Sequence, residues 1–300
     1  MGPSLDQLTT EQTNPNTADL DELPVEEALL RLNEEDAGVP EAVRAVIPAI
    51  ARAVELVERA MRAGGRLIYV GAGTSGRLGC LDASEIPPTY GMEWNRVLGV
   101  IAGGDTALRR SIEGAEDNPA EGAAKMAELE VGPHDVICGI AASGRTPYVL
   151  GALAEGRRRG AATVGVVTNS PCEMEAAVDV LIAPVVGPEP VSGSTRMKSG
   201  TAQKLVLNML STMAMVRIGK TYGNLMVDLR ATNEKLVRRA IRLIRTVTEL
   251  EEPEARRLFD ASGGDTKLAI MMGLSGLDAA AARDRLDAAG GVLRKALTEA

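Results

Sequence analysis

Apolar residues along this chain of 300 follow two rhythms. In residues 24–36 they fall at Val25, Ala28, Leu29, Leu30 and Leu32. In residues 40–63 they fall at Val43, Val46, Ile47, Ile50, Ala53, Val54 and Val57. Both spacings predict helices, preceded by a polar, turn-rich arm over 1–20 that either stays flexible or orders on a partner. From Arg66 the rhythm shortens. Compact apolar runs at 66–70, 97–101, 135–140, 162–167 and 180–183 read as buried strands. Helical stretches at 76–84, 107–115, 119–129, 147–159 and 173–177 separate them. Strands alternating with helices pair in parallel, because each parallel neighbour needs a crossover.

The stretch 201–218 is apolar on most of its faces, so it is predicted to lie in the core or against a partner chain. From Ala231 the chain turns helical and polar-faced, with segments at 233–250, 253–261, 265–273, 277–288 and 291–298. The expected fold is α/β: a doubly wound, five-stranded parallel sheet. N-terminal arm and helices occupy 1–56, the sheet domain 57–220, and a small helical region 221–300. Ligands in such sheets bind at the carboxyl ends of the strands.

Composition narrows the chemistry. The net charge of −8 comes without a long basic run, and the chain has one Trp, one Phe and four Tyr. That excludes the usual means of holding nucleic acid. No window is long and apolar enough to span a bilayer, and the N-terminus lacks the pattern of a secretory signal. A cytoplasmic enzyme is expected. The three Cys are widely spaced and His134 is the only histidine, in a Gly-Pro-His-Asp turn, so neither a disulfide framework nor a transition-metal site is indicated.

Three loops at strand ends carry the candidate chemistry. Gly71-Ala72-Gly73-Thr74-Ser75-Gly76-Arg77 follows a strand and opens a helix. Glycines permit close backbone approach, Thr74 and Ser75 add hydroxyls, and a helix N-terminus offers free N–H groups: a phosphate cradle. The string also fits a dinucleotide fingerprint, but no acid sits at the tip of the second strand about 20 residues on, where the ribose would need one. A second loop, Ala141-Ala142-Ser143-Gly144-Arg145-Thr146, repeats the arrangement on another strand. A third, running from Val191 through Ser192, Ser194 and Lys198 to Thr201, either closes over a sugar, binds its phosphate or forms a long helix cap. It is not a Walker A loop, being one residue short of that spacing. Glu85 and Glu116 flank turns near these loops. Paired carboxylates divide acid and base roles, though with 41 acids the pairing is not decided by pattern alone.

Longer strings are more specific. Residues 71–79 (GAGTSGRLG), 113–117 (GluGlyAlaGluAsp), 139–148 (GIAASGRTPY), 193–204 (GSTRMKSGTAQK), 223–228 (GNLMVD) and 231–236 (ATNEKL) resemble the N-acetylmuramic acid 6-phosphate etherase family across nearly the whole chain. The resemblance implies a sugar isomerase (SIS) domain, flavodoxin-like, over about 57–220. It implies a homodimer with its active site near the subunit interface, no cofactor and no metal. The implied reaction converts N-acetylmuramic acid 6-phosphate and water to N-acetylglucosamine 6-phosphate and D-lactate. Glu85 and Glu116 are implied as acid and base, or one of them serves both steps. Gly73, Thr74, Ser75, Ser143, Gly144 and Thr146 are implied as substrate and phosphate contacts, with Ser192, Ser194, Lys198 and Lys235 as further candidates. The competing readings are a non-catalytic sugar-phosphate sensor and an aldose–ketose isomerase, both of which share the fold.

Overall fold

The computed structural model describes residues 8–228 and 233–298. Residues 1–7 of the polar arm, and Ala231 and Thr232 of the ATNEKL string, lie outside the described residues. The chain divides into two compact units: Met1–Ser84 with Asn95–Ser211, and Glu85–Trp94 with Thr212–Ala300.

In the first unit, helices α1 (Val25–Ala37), α2 (Val39–Ala45) and α3 (Ile47–Arg62) lead into β1 (Leu67–Gly71). The expected single helix over 40–63 is therefore two. The break falls at Val46, and Pro48 lies in the first turn of the next helix, where its missing N–H removes no intrahelical bond. In α3 the residues Ile50, Ala53, Val54, Val57, Ala60 and Met61 are buried, a stripe that faces the core.

Helix α4 (Gly73–Tyr90) follows, then β2 (Val97–Ile101), α5 (Gly104–Arg109), α6 (Pro119–Glu128), β3 (Val136–Ile140), α7 (Pro147–Arg158), β4 (Ala162–Val166), β5 (Val180–Ile182) and α8 (Lys198–Arg217). The five strands are all parallel, in the order β2-β1-β3-β4-β5. This is the expected doubly wound sheet. Its order reverses between β1 and β3, which opens a crevice at their carboxyl ends. Residues Leu67, Ile68, Tyr69 and Val70 of central β1 are fully buried.

Two local expectations are corrected. The helix expected at 107–115 ends at Arg109, because Arg110 is extended. The helix expected to stop at Ser84 runs to Tyr90 and contains Pro87 and Pro88. Both prolines lack the N–H that would bond one turn back, so the last turn of α4 is held by fewer intrahelical hydrogen bonds. Glu85 thus lies within a helix rather than after one.

In the second unit a two-strand antiparallel pair, β6 (Thr221–Tyr222) with β7 (Leu225–Met226), precedes helices α9 (Glu234–Thr248), α10 (Glu252–Ala261), α11 (Thr266–Ser275), α12 (Ala279–Ala288) and α13 (Leu293–Thr298). The small pair was not anticipated, since two-residue strands leave no periodic signal. Its core gathers Ile244, Phe259, Ile270, Met271 and Leu293. The carboxylate of Asp228 meets both Lys220 Nζ at 2.7 Å and Lys267 Nζ at 2.8 Å.

The start of the sheet is pinned by one ion pair. Arg66 Nε and Nη2 donate to Asp135 Oδ1 and Oδ2 at 3.0 and 2.7 Å, and the backbone N–H groups of Arg66 and Gly132 add two more bonds at 3.0 Å each. Burial pushes the Asp135 carboxyl up. The Arg66 guanidinium and the backbone donors outweigh it and hold the carboxyl below its usual value. Removing one partner of such a pair leaves a buried group unmatched. Asp135→Asn is expected to lower stability by about 2 kcal/mol in urea unfolding at pH 7. A depressed folded pKa means this contribution is complete above the unfolded value of 3.8 and fades as pH falls through the lower folded value. The difference between the two proteins should therefore shrink in acid, and a difference that grows there would contradict the assignment.

Candidate active site

The crevice between the ends of β1 and β3 is a cleft of about 730 Å³. Its first wall is the passage from β1 into α4. The turn is tight because glycines meet there. A Cβ on Gly71 would lie 2.6 Å from Gly76 N, and one on Gly76 would lie 2.6 Å from Ile101 Cγ1. With neither present, the helix starts two residues after the strand ends. Gly73, Thr74 and Ser75 then line the cleft from its first turn, where backbone N–H groups have no intrahelical acceptor.

The second wall is the β3–α7 loop. Ser143 and Thr146 line the cleft; Gly144 is buried just behind them. Gly144 has φ +67°, and a Cβ there would lie 2.7 Å from Cys172 Cβ, so the loop accepts only glycine. Thr146 occupies the cap position of α7 without making a side-chain cap bond. Its hydroxyl is therefore available to a ligand.

The third wall is irregular. Gly193 and Thr195 line the cleft, while Ser192 and Ser194 are not among the lining residues. Lys198 is buried, with its ammonium 2.6 Å from Glu35 Oε2, and it too is absent from the lining. Burial pushes the Glu35 carboxyl up, but hydrogen bonds from Lys198, Asn16 and Asn14 pull it below the usual range. The backbone N–H groups of Lys198 and Ser199, at the start of α8, both donate to the fully buried Glu189 at 2.9 Å. Lys198 thus belongs to an internal tie.

Glu116 lies in a 3-10 turn (Ala115–Asp117), is exposed, and lines the cleft. The turn is anchored by Asn118, whose side chain accepts from the N–H groups of Ala120 and Glu121 at the start of α6. Glu85 and Lys235 are both exposed and both belong to the second unit: Glu85 in α4, ten residues beyond Ser75, and Lys235 in the first turn of α9.

Two contributors escaped the sequence analysis. One is the N-terminal arm, which is ordered on its own chain over its described part. Asn169 accepts from Thr9 Oγ1 at 2.8 Å, and its amide donates to Thr10 Oγ1 at 3.1 Å and to Ala142 O at 2.9 Å. Leu8, Thr10 and Glu11 thereby join the cleft wall. The other is Gln203 on α8, fully buried, whose Oε1 accepts from Ser75 Oγ at 2.9 Å while its Nε2 has no partner. Neither partner was readable in advance, because these bonds join positions more than 120 residues apart. Among the described residues no group of three or more His, Cys, Asp or Glu side chains could hold a metal ion, and no helix is long and apolar enough to cross a membrane.

Gln203 bears on the cradle directly. When Ser75 gives its proton to Gln203, only its N–H faces a ligand. Turning the carboxamide over would let Nε2 donate to Ser75 Oγ, removing the unpaired donor and freeing the hydroxyl proton for the cleft. The two residues should act as one unit. Ser75→Ala, Gln203→Met and the double variant should show strong coupling, with the double weakening sugar-phosphate affinity no more than about the worse single. Additive losses measured by titration would mean that Gln203 acts independently of Ser75.

Known proteins are similar to this chain over part or nearly all of its length. A family model, the glucokinase regulatory protein N-terminal SIS domain, matches residues 49–156. A Rhizobium rhizogenes protein named N-acetylmuramic acid 6-phosphate etherase is 52% identical over 294 residues, 98% of this chain and 96% of its own. The protein of that name from Salmonella choleraesuis is also 52% identical, over 98% of this chain and 99% of its own. Among solved structures, a phosphoheptose isomerase from Francisella tularensis is similar over 65% of this chain and 100% of its own, at 18% identity and a TM-score of 0.49.

Proposed function

The chain belongs to the N-acetylmuramic acid 6-phosphate etherase family, and on that premise we propose that its cleft holds the phosphorylated sugar while two carboxylates break the lactyl ether. It is an etherase of the lyase type, cleaving the D-lactyl ether of N-acetylmuramic acid 6-phosphate with water to give N-acetylglucosamine 6-phosphate and D-lactate. The near-full-length identity carries this reading, and a cleft of hydroxyls, helix N–H groups and a carboxylate supports it.

An unactivated ether resists direct hydrolysis. In the open-chain aldehyde the carbonyl acidifies the proton on C2. In our reading Glu116 removes that proton, and the electron pair forms the C2–C3 double bond as the C3–O bond breaks. Glu85 gives its proton to the departing lactate oxygen. Water then adds its oxygen to C3 of the unsaturated aldehyde, while a proton returns to C2. Phosphate binds at Gly73, Thr74 and Ser75, with Ser143 and Thr146 opposite and Gly144 shaping their loop. A dianion at the start of α4 gains from the unpaired N–H groups and the helix dipole. For Ser192, Ser194 and Lys235 the family resemblance is the sole support. Lys198 enters this reading through its tie to Glu35 rather than through substrate.

The same reading makes the enzyme a cytoplasmic homodimer that recovers amino sugar from cell-wall fragments. Exposed apolar side chains such as Leu81 of α4 and Met209 of α8 are surface that such an association would cover. The family's lyase activity sets aside the sensor and isomerase readings.

Glu116→Gln and Glu85→Gln are each expected to slow lactate release by 100-fold or more, the usual scale of a lost acid or base. Inhibition by N-acetylglucosamine 6-phosphate should stay within about threefold of wild type, because that product is held by the loops. Near-wild-type turnover in both variants would refute the assignment.

A further inference from the structure

One part of the substrate has no place yet: the lactyl arm, which carries a carboxylate and a methyl group on the carbon bonded to the ether oxygen. The main cleft is a poor host for that carboxylate. Glu11, Glu116, Asp117 and Glu173 all line it, with Arg145 the one cation among its described lining residues. A phosphate can be met there by N–H groups and hydroxyls, but a second anion would face a surplus of acids.

A second cavity, of about 340 Å³, opens off the same loops. Ala72, Gly73 and Glu116 line both spaces, so Glu116 stands at their junction. The second cavity has one cation to two acids, against one to four in the first. Arg77 from the second turn of α4 faces it, together with Ser111 and an apolar wall that includes Ala107 and Ile112. Glu113 also lines it and is exposed. The guanidinium of Arg77 is held in one plane: Nε donates to Leu108 O at 3.1 Å and Nη2 to Ala107 O at 2.7 Å. Nη1, with two protons, has no acceptor among the described residues, and neither does the Ser111 hydroxyl proton. A fixed guanidinium with a free donor suits a carboxylate better than a mobile ammonium does.

We propose that this second cavity is the subsite for the lactyl arm, a ligand of the 2-alkoxy carboxylate class. The carboxylate sits on Arg77 Nη1 and Ser111, and the methyl lies on the wall of Ala107 and Ile112. The ether oxygen then falls at the mouth of the cavity, beside Glu116. Phosphate and carboxylate are separated by the strand-to-helix passage, so each anion meets its own donors. The subsite separates muramic from glucosamine phosphates, since only the former has an arm to place. It also gives the leaving lactate a compartment distinct from the sugar's. The inference rests on the etherase reading above.

The test compares two ligands that differ only in the arm. Kinetic constants for N-acetylmuramic acid 6-phosphate and the inhibition constant of N-acetylglucosamine 6-phosphate are measured for wild type, Arg77→Gln and Ser111→Asp. Both variants should raise KM for the muramic substrate tenfold or more, while inhibition by the glucosamine product stays within twofold. Arg77 also ties α4 to α5, so Arg77→Gln is read beside its thermal unfolding. Ser111→Asp is an exposed change that leaves those bonds in place, and it decides the matter if Arg77→Gln fails to fold. Equal weakening of both ligands, or no change in either, overturns the subsite. Wild-type protein that binds the glucosamine phosphate but releases no lactate overturns the etherase reading and the subsite with it.

Discussion

The geometry of the cleft depends on the close passage of Gly71 against Gly76. A strand must give way to a helix within two residues, and there is no room for a Cβ on either side of the passage. That constraint sets the first turn of α4 at the edge of the sheet, with its N–H groups directed to the crevice. Because β1 neighbours β3, the Ser143–Thr146 loop stands opposite. Two short loops far apart in sequence thus become two walls of one cleft, the proposed anion site. Glu116, the proposed base, then arrives by a different route, on a turn anchored by the Asn118 cap of α6.

Helix α4 is fastened to α8 by a polar seam. Ser75 meets Gln203 near its start. One helical stretch further on, Asp82 accepts from Tyr69 Oη at 2.9 Å, Asn208 Nδ2 at 2.8 Å and Ser211 Oγ at 3.2 Å. Burial dominates and raises the Asp82 carboxyl above its usual value, with those three donors pulling the other way. A raised folded value means that Asp82 detracts from stability once the pH exceeds its unfolded pKa. What the seam gives in exchange is a fixed rotation of α4 about its axis, since three donors on two elements must converge on one carboxylate. Arg77, two residues beyond Ser75, is directed to the second cavity by the same rotation.

The sheet was legible in the chain because buried parallel strands leave short apolar runs, and each of the five fell within a residue or two of its expected place. The strand-to-helix turn at Gly73–Ser75 was legible too, since glycines and hydroxyls between an apolar run and a helical one mark such a junction. What escaped was long-range or irregular. The arm around Thr10 is polar and without period, and its partner Asn169 stands about 160 residues away. The extent of α4 was missed because Pro87 and Pro88 read as a stop, yet the helix continues through them to Tyr90. Lys198 looked like a phosphate ligand in a run of hydroxyls, and only the fold brings Glu35 to it. The apolar stretch of α8 left two outcomes open, and its buried Ala202, Val206, Leu207 and Leu210 place at least one face in the core.

The central claim is that the ether is broken by elimination across C2 and C3 and then by addition of water. Isotopes of water distinguish this from direct attack on the lactyl side. The reaction is run to partial conversion in deuterium oxide enriched in oxygen-18, and both products are analysed by mass spectrometry. The account predicts N-acetylglucosamine 6-phosphate carrying deuterium at C2 and oxygen-18 at C3, with D-lactate retaining the original ether oxygen. Oxygen-18 in the lactate, or product with ordinary hydrogen retained at C2, would contradict it.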